Sequence, residues 1–216
     1  MRIDALKVWL RRALLAASAA ALAAASLPVA AQEGTYTPPS QARDLAIGVC
    51  GTCHGVEGNS KNSMFPRLAG QHAWYLEQQL KEFRDHTRGD PYAVAYMWGM
   101  ANGLSNATIV ALAQYFSHQK TGPGKPHPAA LVARGNDIFH HGIPSQGVPA
   151  CAACHGPQAL GSKFYPRLAG QHAEYIMKQL ASFRSNMRKV AIMHGVAQTL
   201  HKPEMQAVAD YLASLP

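Results

Sequence analysis

Acidic residues, cysteines and long apolar runs are all scarce in this sequence. Its 216 residues contain 12 Asp and Glu against 20 Lys and Arg, and four cysteines. The basic excess is not gathered into a dense Lys and Arg block interleaved with aromatic residues, which argues against nucleic-acid binding. Sustained alternation of apolar and polar residues, the pattern typical of strands, is also missing. We therefore predict an all-α fold.

One long apolar run is present, near the N-terminus. The segment "ALLAASAAALAAASL" (13–27) follows several basic residues and precedes small ones, a pattern typical of a signal peptide. We predict a signal peptide over residues 1–31, with cleavage after Ala31, and thus a periplasmic protein. The alternative is an uncleaved membrane anchor, although the run is short and rich in alanine. Elsewhere no apolar stretch approaches the roughly 20 residues that a membrane helix needs.

The rest of the chain repeats itself once. "CGTCHG" (50–55) matches "CAACHG" (151–156), and "FPRLAGQHAWYLEQQLKEFR" (65–84) matches "YPRLAGQHAEYIMKQLASFR" (165–184). Two copies are too few for a solenoid, so the repeat indicates a tandem duplication of a compact domain. We predict domain 1 over 32–118, a short and fairly stiff linker rich in Pro and Gly over 119–130, and domain 2 over 131–216.

Helical periodicity recurs within each copy. Apolar residues of "HAWYLEQQLKEF" (72–83) fall on one helix face. Ser40 and Ser105 are predicted N-caps, and Pro203 suits the first turn of the last helix. Three or four helices in fewer than 100 residues make a small core, which would gain from an internal prosthetic group.

The four cysteines form two C-x-x-C-H motifs, the pattern of c-type haem attachment. In this spacing two thiols can add to the two vinyl groups of haem while the adjacent histidine faces the iron. The predicted attachment and ligand residues are Cys50, Cys53 and His54 in domain 1, and Cys151, Cys154 and His155 in domain 2. The alternatives are two dithiol redox pairs, or one zinc site formed by all four cysteines. The zinc site is disfavoured because about 100 residues separate the pairs, against about 15 to 20 in usual zinc ribbons.

Two methionines are candidates for the opposite axial position. Met97 and Met193 each stand seven residues before the leucine that introduces the last helix of their copy, so the repeat places them in register. Met100 aligns with Val196 and is predicted to be a packing residue. The alternative for Met97 and Met193 is the same role as core fillers.

With these motifs the chain resembles class I c-type cytochromes, and as a tandem pair it resembles the dihaem cytochrome c4 family. The resemblance covers nearly all of residues 40–216. It implies two helical domains, each wrapped round a covalently bound haem c. It also implies that the carbonyls of Pro66 and Pro166 accept the Nδ1–H of the axial histidines, and that Leu68 and Leu168 pack on the haem.

Two further pairs of residues are repeated within these segments. Arg67 and Arg167 are candidates for binding haem propionates, because a guanidinium can donate two parallel hydrogen bonds to a carboxylate. The alternative is that they are plain surface arginines. His72 and His172 are predicted to be helix-start or surface residues rather than iron ligands.

Histidine and methionine on both irons would leave no position for a substrate, so outer-sphere electron transfer is the predicted function. The resemblance implies that the protein accepts electrons from a respiratory complex or dehydrogenase and passes them to a terminal oxidase. Peripheral docking to membrane complexes follows from this role. The alternatives are a dihaem enzyme, of the peroxidase or thiosulfate dehydrogenase type, and the cytochrome subunit of a larger dehydrogenase.

Charge is divided unequally between the copies. Residues 32–118 hold six basic and seven acidic groups, whereas 119–216 hold ten and four. The basic half favours docking of an acidic protein or binding of an anionic cofactor. Positive surroundings favour reduced iron, so the haem at His155 is expected to have the higher reduction potential.

Overall fold

The computed structural model describes residues 39–216, which form helices joined by loops. Within this range the only β feature is an isolated bridge between Ile143 and Val148, so the all-α prediction is confirmed. The predicted signal peptide lies outside the described residues. Over the part that is described, no helix has the length and apolar character required to cross a membrane.

The first repeat contains two longer helices and several short ones. Two π-helical turns, Ala46–Cys50 and Ala93–Met97, interrupt the helical path before the haem motif and at the candidate methionine. The helices are α1 Pro39–Leu45, α2 Gly51–His54, α3 Ala73–Arg84, α4 Trp98–Ala101 and α5 Asn106–Ser117.

The second repeat follows the same order with a longer first helix. A 3₁₀ turn, Pro144–Gln146, separates that helix from the second haem motif. The helices are α6 Ala129–His141, α7 Ala152–His155, α8 Ala173–Arg184, α9 Ala191–Ala197 and α10 Lys202–Ser214.

Two of the three helix starts predicted from the sequence are confirmed. The Ser105 side chain accepts a hydrogen bond from the backbone N–H of Thr108 (3.1 Å) and so caps α5. Pro203 lies in the first turn of α10. Ser40 is not the N-cap of α1, because this helix already includes Pro39.

Each repeat has its own apolar core. In domain 1, Leu76 of α3 packs with Leu112 and Phe116 of α5. In domain 2, α6 and α10 cross so closely that a Cβ on Gly135 would lie 1.9 Å from the carbonyl oxygen of Ala207. Only glycine permits this approach.

The segment between α5 and α6 contains no helix, but it is bonded to both domains. Asn59 of domain 1 donates to the carbonyl of Lys120 (2.8 Å) and accepts from the N–H of Gly122 (2.7 Å). On the other side, the N–H of Lys125 donates to the carbonyl of Ala213 at the end of α10 (2.9 Å). These bonds hold the connecting segment against both domains.

Candidate haem sites

The two motif histidines are held in the same way. His54 and His155 end α2 and α7, and both side chains are buried. The Nδ1 atoms lie 2.9 Å from the carbonyl oxygens of Pro66 and Pro166, respectively. A carbonyl can only accept, so Nδ1 carries the proton and Nε2 keeps a lone pair. Each imidazole is thus oriented and presents the nitrogen that can bind a metal.

Burial also fixes the charge state of these rings. It lowers the pKa of His54 and of His155 below the usual 6.5, and the hydrogen bond to the proline carbonyl offsets this only in part. Both imidazoles are therefore neutral at neutral pH, which is the form that ligates iron.

The cysteines lie beside these histidines and form no disulfide bonds. Burial raises the pKa of Cys50, and it raises the pKa of Cys151 to about 11. Redox-active dithiols instead have a lowered pKa, so these thiols do not favour the dithiol alternative. Cys154 is half-buried and Cys53 is exposed. Among residues 39–216 no three His, Cys, Asp or Glu side chains are grouped to hold a metal ion.

An apolar cavity of about 490 Å³ runs beside both motifs and continues from one repeat into the other. Half-buried Leu68 and Leu168 line it, as do the two motif histidines. The other apolar wall residues include Leu80, Phe83, Leu112, Phe116, Ile176, Leu180, Phe183 and Leu212. A largely apolar cavity with thiols and a free imidazole nitrogen at its wall fits the chemistry of a covalently attached haem.

The candidate methionines differ in position from their neighbours. Met97 and Met193 are half-buried, pack against the cores of their domains and line the cavity. Met100 and Met187 are 49% and 52% exposed and do not line it, so the prediction that Met100 is a packing residue is wrong. Met64 also reaches the cavity wall but is 36% exposed. Axial ligation by Met97 and Met193 remains a prediction.

The arginines of "PRLAGQH" are half-buried cavity residues rather than plain surface ones. Arg67 donates to the carbonyls of Pro123 (2.9 Å) and Gly170 (3.0 Å), while its buried Nε has no partner among the described residues. Arg167 donates to the carbonyl of Pro216 (2.6 Å). Arg67 thus donates to the connecting segment and to domain 2, whereas Arg167 donates to the last residue of its own domain.

The repeated "PRLAGQH" segments also form the domain interface. The Gln71 amide donates to the carbonyl of Arg167 (2.8 Å) and accepts from the N–H of the same residue (3.0 Å). Gln171 makes the equivalent pair of bonds with Arg67, both at 2.9 Å. Because each bond has a counterpart at an offset of 100 residues, the two domains are related by an approximate two-fold axis.

The histidines that follow these glutamines also cross the interface. His72 Nε2 lies 3.0 Å from the carbonyl oxygen of Leu160, and His172 Nε2 lies 3.0 Å from that of Ser60. Both histidines immediately precede a helix, as predicted. The surface alternative is wrong for His172, which is only 4% exposed.

Sequence reasoning did not identify two buried arginines that also lie between the domains and line the cavity. Arg88 and Arg188 are each 5% exposed. They follow the repeated helices at the same offset of 100 residues. Extending the repeat comparison a few residues beyond Arg84 and Arg184 is the signal that could have found them.

Comparison with known proteins agrees with these features. The sequence model of the family described as Cytochrome c matches residues 41–120 and 132–216. Cytochrome c4 from Stutzerimonas stutzeri is 41% identical, over 78% of this chain and 85% of that protein. The solved structure of Acidithiobacillus ferrooxidans cytochrome c4 is 41% identical with a TM-score of 0.73, over 77% of this chain and 98% of that one.

A further relative has a more specific name. A "thiosulfate dehydrogenase electron acceptor" from Thiomonas intermedia (strain K12) is 39% identical, over 77% of this chain and 78% of that protein. The duplicated haem motifs, the helical domains with their apolar cavity and these relatives agree, and the chain belongs to the cytochrome c4 family: it is a dihaem c-type cytochrome that carries electrons, with two covalently bound haem c groups.

Proposed function

We propose that this protein is a periplasmic shuttle that accepts electrons from a respiratory complex or dehydrogenase and delivers them to a terminal oxidase. The observation that carries the proposal is the matched pair of side chains on the cavity wall in each repeat. In both repeats a neutral histidine oriented by a proline carbonyl and a half-buried methionine line the same cavity. If both side chains were bound to the iron of a haem, no position on that iron would remain for a substrate.

The proposed roles of the site residues follow from this arrangement. Haem iron supplies reversible one-electron transfer, and a methionine ligand raises its reduction potential. His54 and His155 would each provide one ligand to a haem iron, and Met97 and Met193 would each provide another. Cys50, Cys53, Cys151 and Cys154 form the thioether attachments. Leu68 and Leu168 exclude water, and Arg67 and Arg167 are secondary candidates for contacts with the propionates.

A dehydrogenase is the donor class that the relatives favour. The Thiomonas intermedia relative is named as an electron acceptor of thiosulfate dehydrogenase, and it matches this chain across both repeats. We propose a thiosulfate dehydrogenase as the donor to test first. The alternative is that this chain takes part directly in thiosulfate oxidation.

Rapid mixing tests the proposed route. The oxidised protein is mixed with a thiosulfate dehydrogenase plus thiosulfate, and the reduced protein is then mixed with membranes that contain a terminal oxidase. We expect both haems to be reduced in the first step and reoxidised in the second. The first step is repeated with a respiratory quinol-oxidising complex as the donor. Failure of both donors to reduce the protein would contradict the proposal.

Omission of the dehydrogenase separates carrier from enzyme. Thiosulfate alone should not reduce the protein, and cyanide or peroxide should leave the red-region methionine-to-iron band at the intensity of two haems. Reduction by thiosulfate alone would support the enzyme alternative instead.

A further inference from the structure

The residue directly after each candidate methionine donates a hydrogen bond from its ring. This residue is Trp98 in domain 1 and His194 in domain 2, at equivalent positions of the aligned repeats. Trp98 Nε1 donates to the carbonyl of Arg88 (2.8 Å). His194 Nδ1 lies 2.8 Å from the carbonyl oxygen of Phe183, and it carries the proton because a carbonyl can only accept. Two unlike side chains thus make the same kind of bond in the two domains.

Both acceptor carbonyls belong to backbone that is itself firmly held. Arg88 is 5% exposed, and its side chain is bonded to Gln79 of its own domain and to Gln179 of the other. Phe183 is 8% exposed and lies in the last turn of α8. A ring that donates to either carbonyl therefore fixes the backbone beside the methionine to the body of its domain.

The stretch of chain that begins with each methionine is fastened at its other end as well. Arg84 donates to the carbonyl of Leu104 (3.2 Å), and Arg184 donates to that of Leu200 (3.1 Å). These arginines end α3 and α8, and residues of both helices line the cavity. The arginine bonds act at the leucine end of the stretch, whereas the ring bonds act directly beside the methionine.

The two rings differ in their other contacts. Trp98 stacks on the ring of His86, with centroids 4.3 Å apart and planes inclined by 13°. It also packs against the buried cluster that contains Phe83 and Ala101. His194 makes no ring contact of this kind within residues 39–216. Loss of the single ring bond should therefore release the backbone more completely in domain 2 than in domain 1.

We infer that Trp98 and His194 are positioning residues, which hold Met97 and Met193 at the cavity wall and thereby keep the sixth position of each haem iron closed to external ligands. This inference rests on the proposed ligation by the two methionines. Groups that orient a metal ligand without touching the metal typically change metal affinity by roughly 10- to 100-fold when they are lost. A methionine that leaves the iron opens a position for other ligands, so these two rings help to keep the protein an electron carrier.

Cyanide binding to the oxidised holoprotein tests the positioning role. Cyanide can bind only after the methionine has left the iron, so the rate at which it removes the red-region methionine-to-iron band measures how firmly the methionine is held. His194→Ala should raise this rate by about tenfold or more for half of the band. Trp98→Phe, which keeps an aromatic ring but lacks the N–H, should raise it for the other half by a smaller factor.

A conservative variant separates the hydrogen bond from the ring. In His194→Asn the side-chain amide nitrogen can replace Nδ1 as the donor to Phe183, so this variant should bind cyanide nearly as slowly as wild type. The matched control is His201→Ala, because His201 is exposed and its side chain does not cap α10. It should keep its band as wild type does.

Double variants assign each ring to its methionine. In Met97→Ala the remaining band belongs to Met193, so adding His194→Ala should speed its loss in cyanide, whereas adding Trp98→Phe should not. Wild-type rates in both His194→Ala and Trp98→Phe, or equal acceleration by His201→Ala, would overturn the inference. If His194→Ala does not fold, the comparison of Trp98→Phe with wild type decides.

The band of the wild type separates this failure from failure of the proposed function. If wild type shows the band of two haems and the ring variants bind cyanide no faster, the positioning role is wrong and the methionine ligands stand. A wild type without the band would contradict the ligands themselves, and the positioning role with them. A folded His194→Ala protein that lacks half of the band before cyanide is added would confirm the role.

Discussion

At the scale of single residues, the repeat places equivalent side chains in equivalent surroundings. The two motif histidines have the same proline partner at the same distance, and both have a pKa lowered by burial. Neighbouring methionines, in contrast, differ sharply in burial. Substitutions can therefore distinguish a ligand from a nearby side chain of the same type.

Met97→Ala should remove one of two proposed sulfur ligands. We expect about half of the red-region methionine-to-iron band to disappear and the potential of one haem to fall, because a methionine ligand raises the potential. Absorption spectroscopy with redox titration measures both. Met100→Ala is the matched control and should change neither, since Met100 is exposed and outside the cavity. An unchanged band in Met97→Ala would exclude this residue as ligand.

His172 should make the stability of the protein depend on pH. Burial, together with the positive charges of Arg67 and Lys125, lowers its pKa in the folded state, and the bond to Ser60 offsets this only in part. The unfolded chain then binds the proton more readily than the folded one. Stability is therefore fully present above the unfolded pKa of about 6.5 and decreases as the pH falls below it, until the lower folded pKa is reached.

Denaturant unfolding of the holoprotein between pH 7.5 and 5.5 measures this effect. His172→Gln, which can still donate to the Ser60 carbonyl, should lose less stability on acidification than wild type does. His201→Gln is the control because His201 is exposed, and it should follow the wild-type pH profile. Identical profiles for all three proteins would show that His172 does not contribute.

At the scale of secondary structure elements, the tightest packing is the crossing of α6 and α10. Gly135 lies where the backbone of α10 approaches, and a Cβ there would meet the Ala207 carbonyl and the Tyr211 side chain. Backbone contact of this kind cannot be relieved by rotation of a side chain. The crossing therefore depends on the absence of one methyl group.

Gly135→Ala should destabilise domain 2 by about 3 kcal/mol, because the two helices must separate to admit the methyl group. Gly195→Ala is a matched change on α9, where a Cβ meets no atom within 4 Å. It should be neutral or stabilise by up to about 1 kcal/mol through helix propensity. Thermal or denaturant unfolding of the two variants measures the difference, and similar stabilities would contradict the close crossing.

At the scale of the whole molecule, a hydrogen-bonded interface joins the two domains. The "PRLAGQH" segments form hydrogen bonds between the domains, and Arg88 and Arg188 form others. The apolar cavity continues from one repeat to the other. Charge is nevertheless uneven, since the second half carries most of the basic residues. The two haems should therefore differ in potential.

We expect the haem at His155 to have the higher potential. The positive surroundings of domain 2 favour reduced iron. In a redox titration of the complete protein, Met97→Ala should lower the wave of lower potential, and Met193→Ala should lower the wave of higher potential. The reverse assignment would show that burial and hydrogen bonding outweigh the charge of the domain.

The sequence alone determined the fold class and the chemistry of the sites. Haem attachment needs a fixed local spacing of cysteines and histidine, and helical periodicity is likewise a short-range property, so both can be read along the chain. The duplication also allowed the two copies to be aligned. In that alignment Met97 matches Met193, whereas Met100 matches a valine. Features that depend on local spacing, or on the alignment of the two copies, could therefore be predicted from the sequence.

Only the tertiary structure decided how the domains meet. Gln71 bonds with Arg167 across almost one hundred residues of chain, and the buried Arg88 donates to Gln179 of domain 2. A single copy of the repeat carries no information about the surface opposite it, since "PRLAGQH" suits both a haem-binding turn and an interface. The local pattern fixes what each residue can bond to, and the packing of the two domains selects the partner.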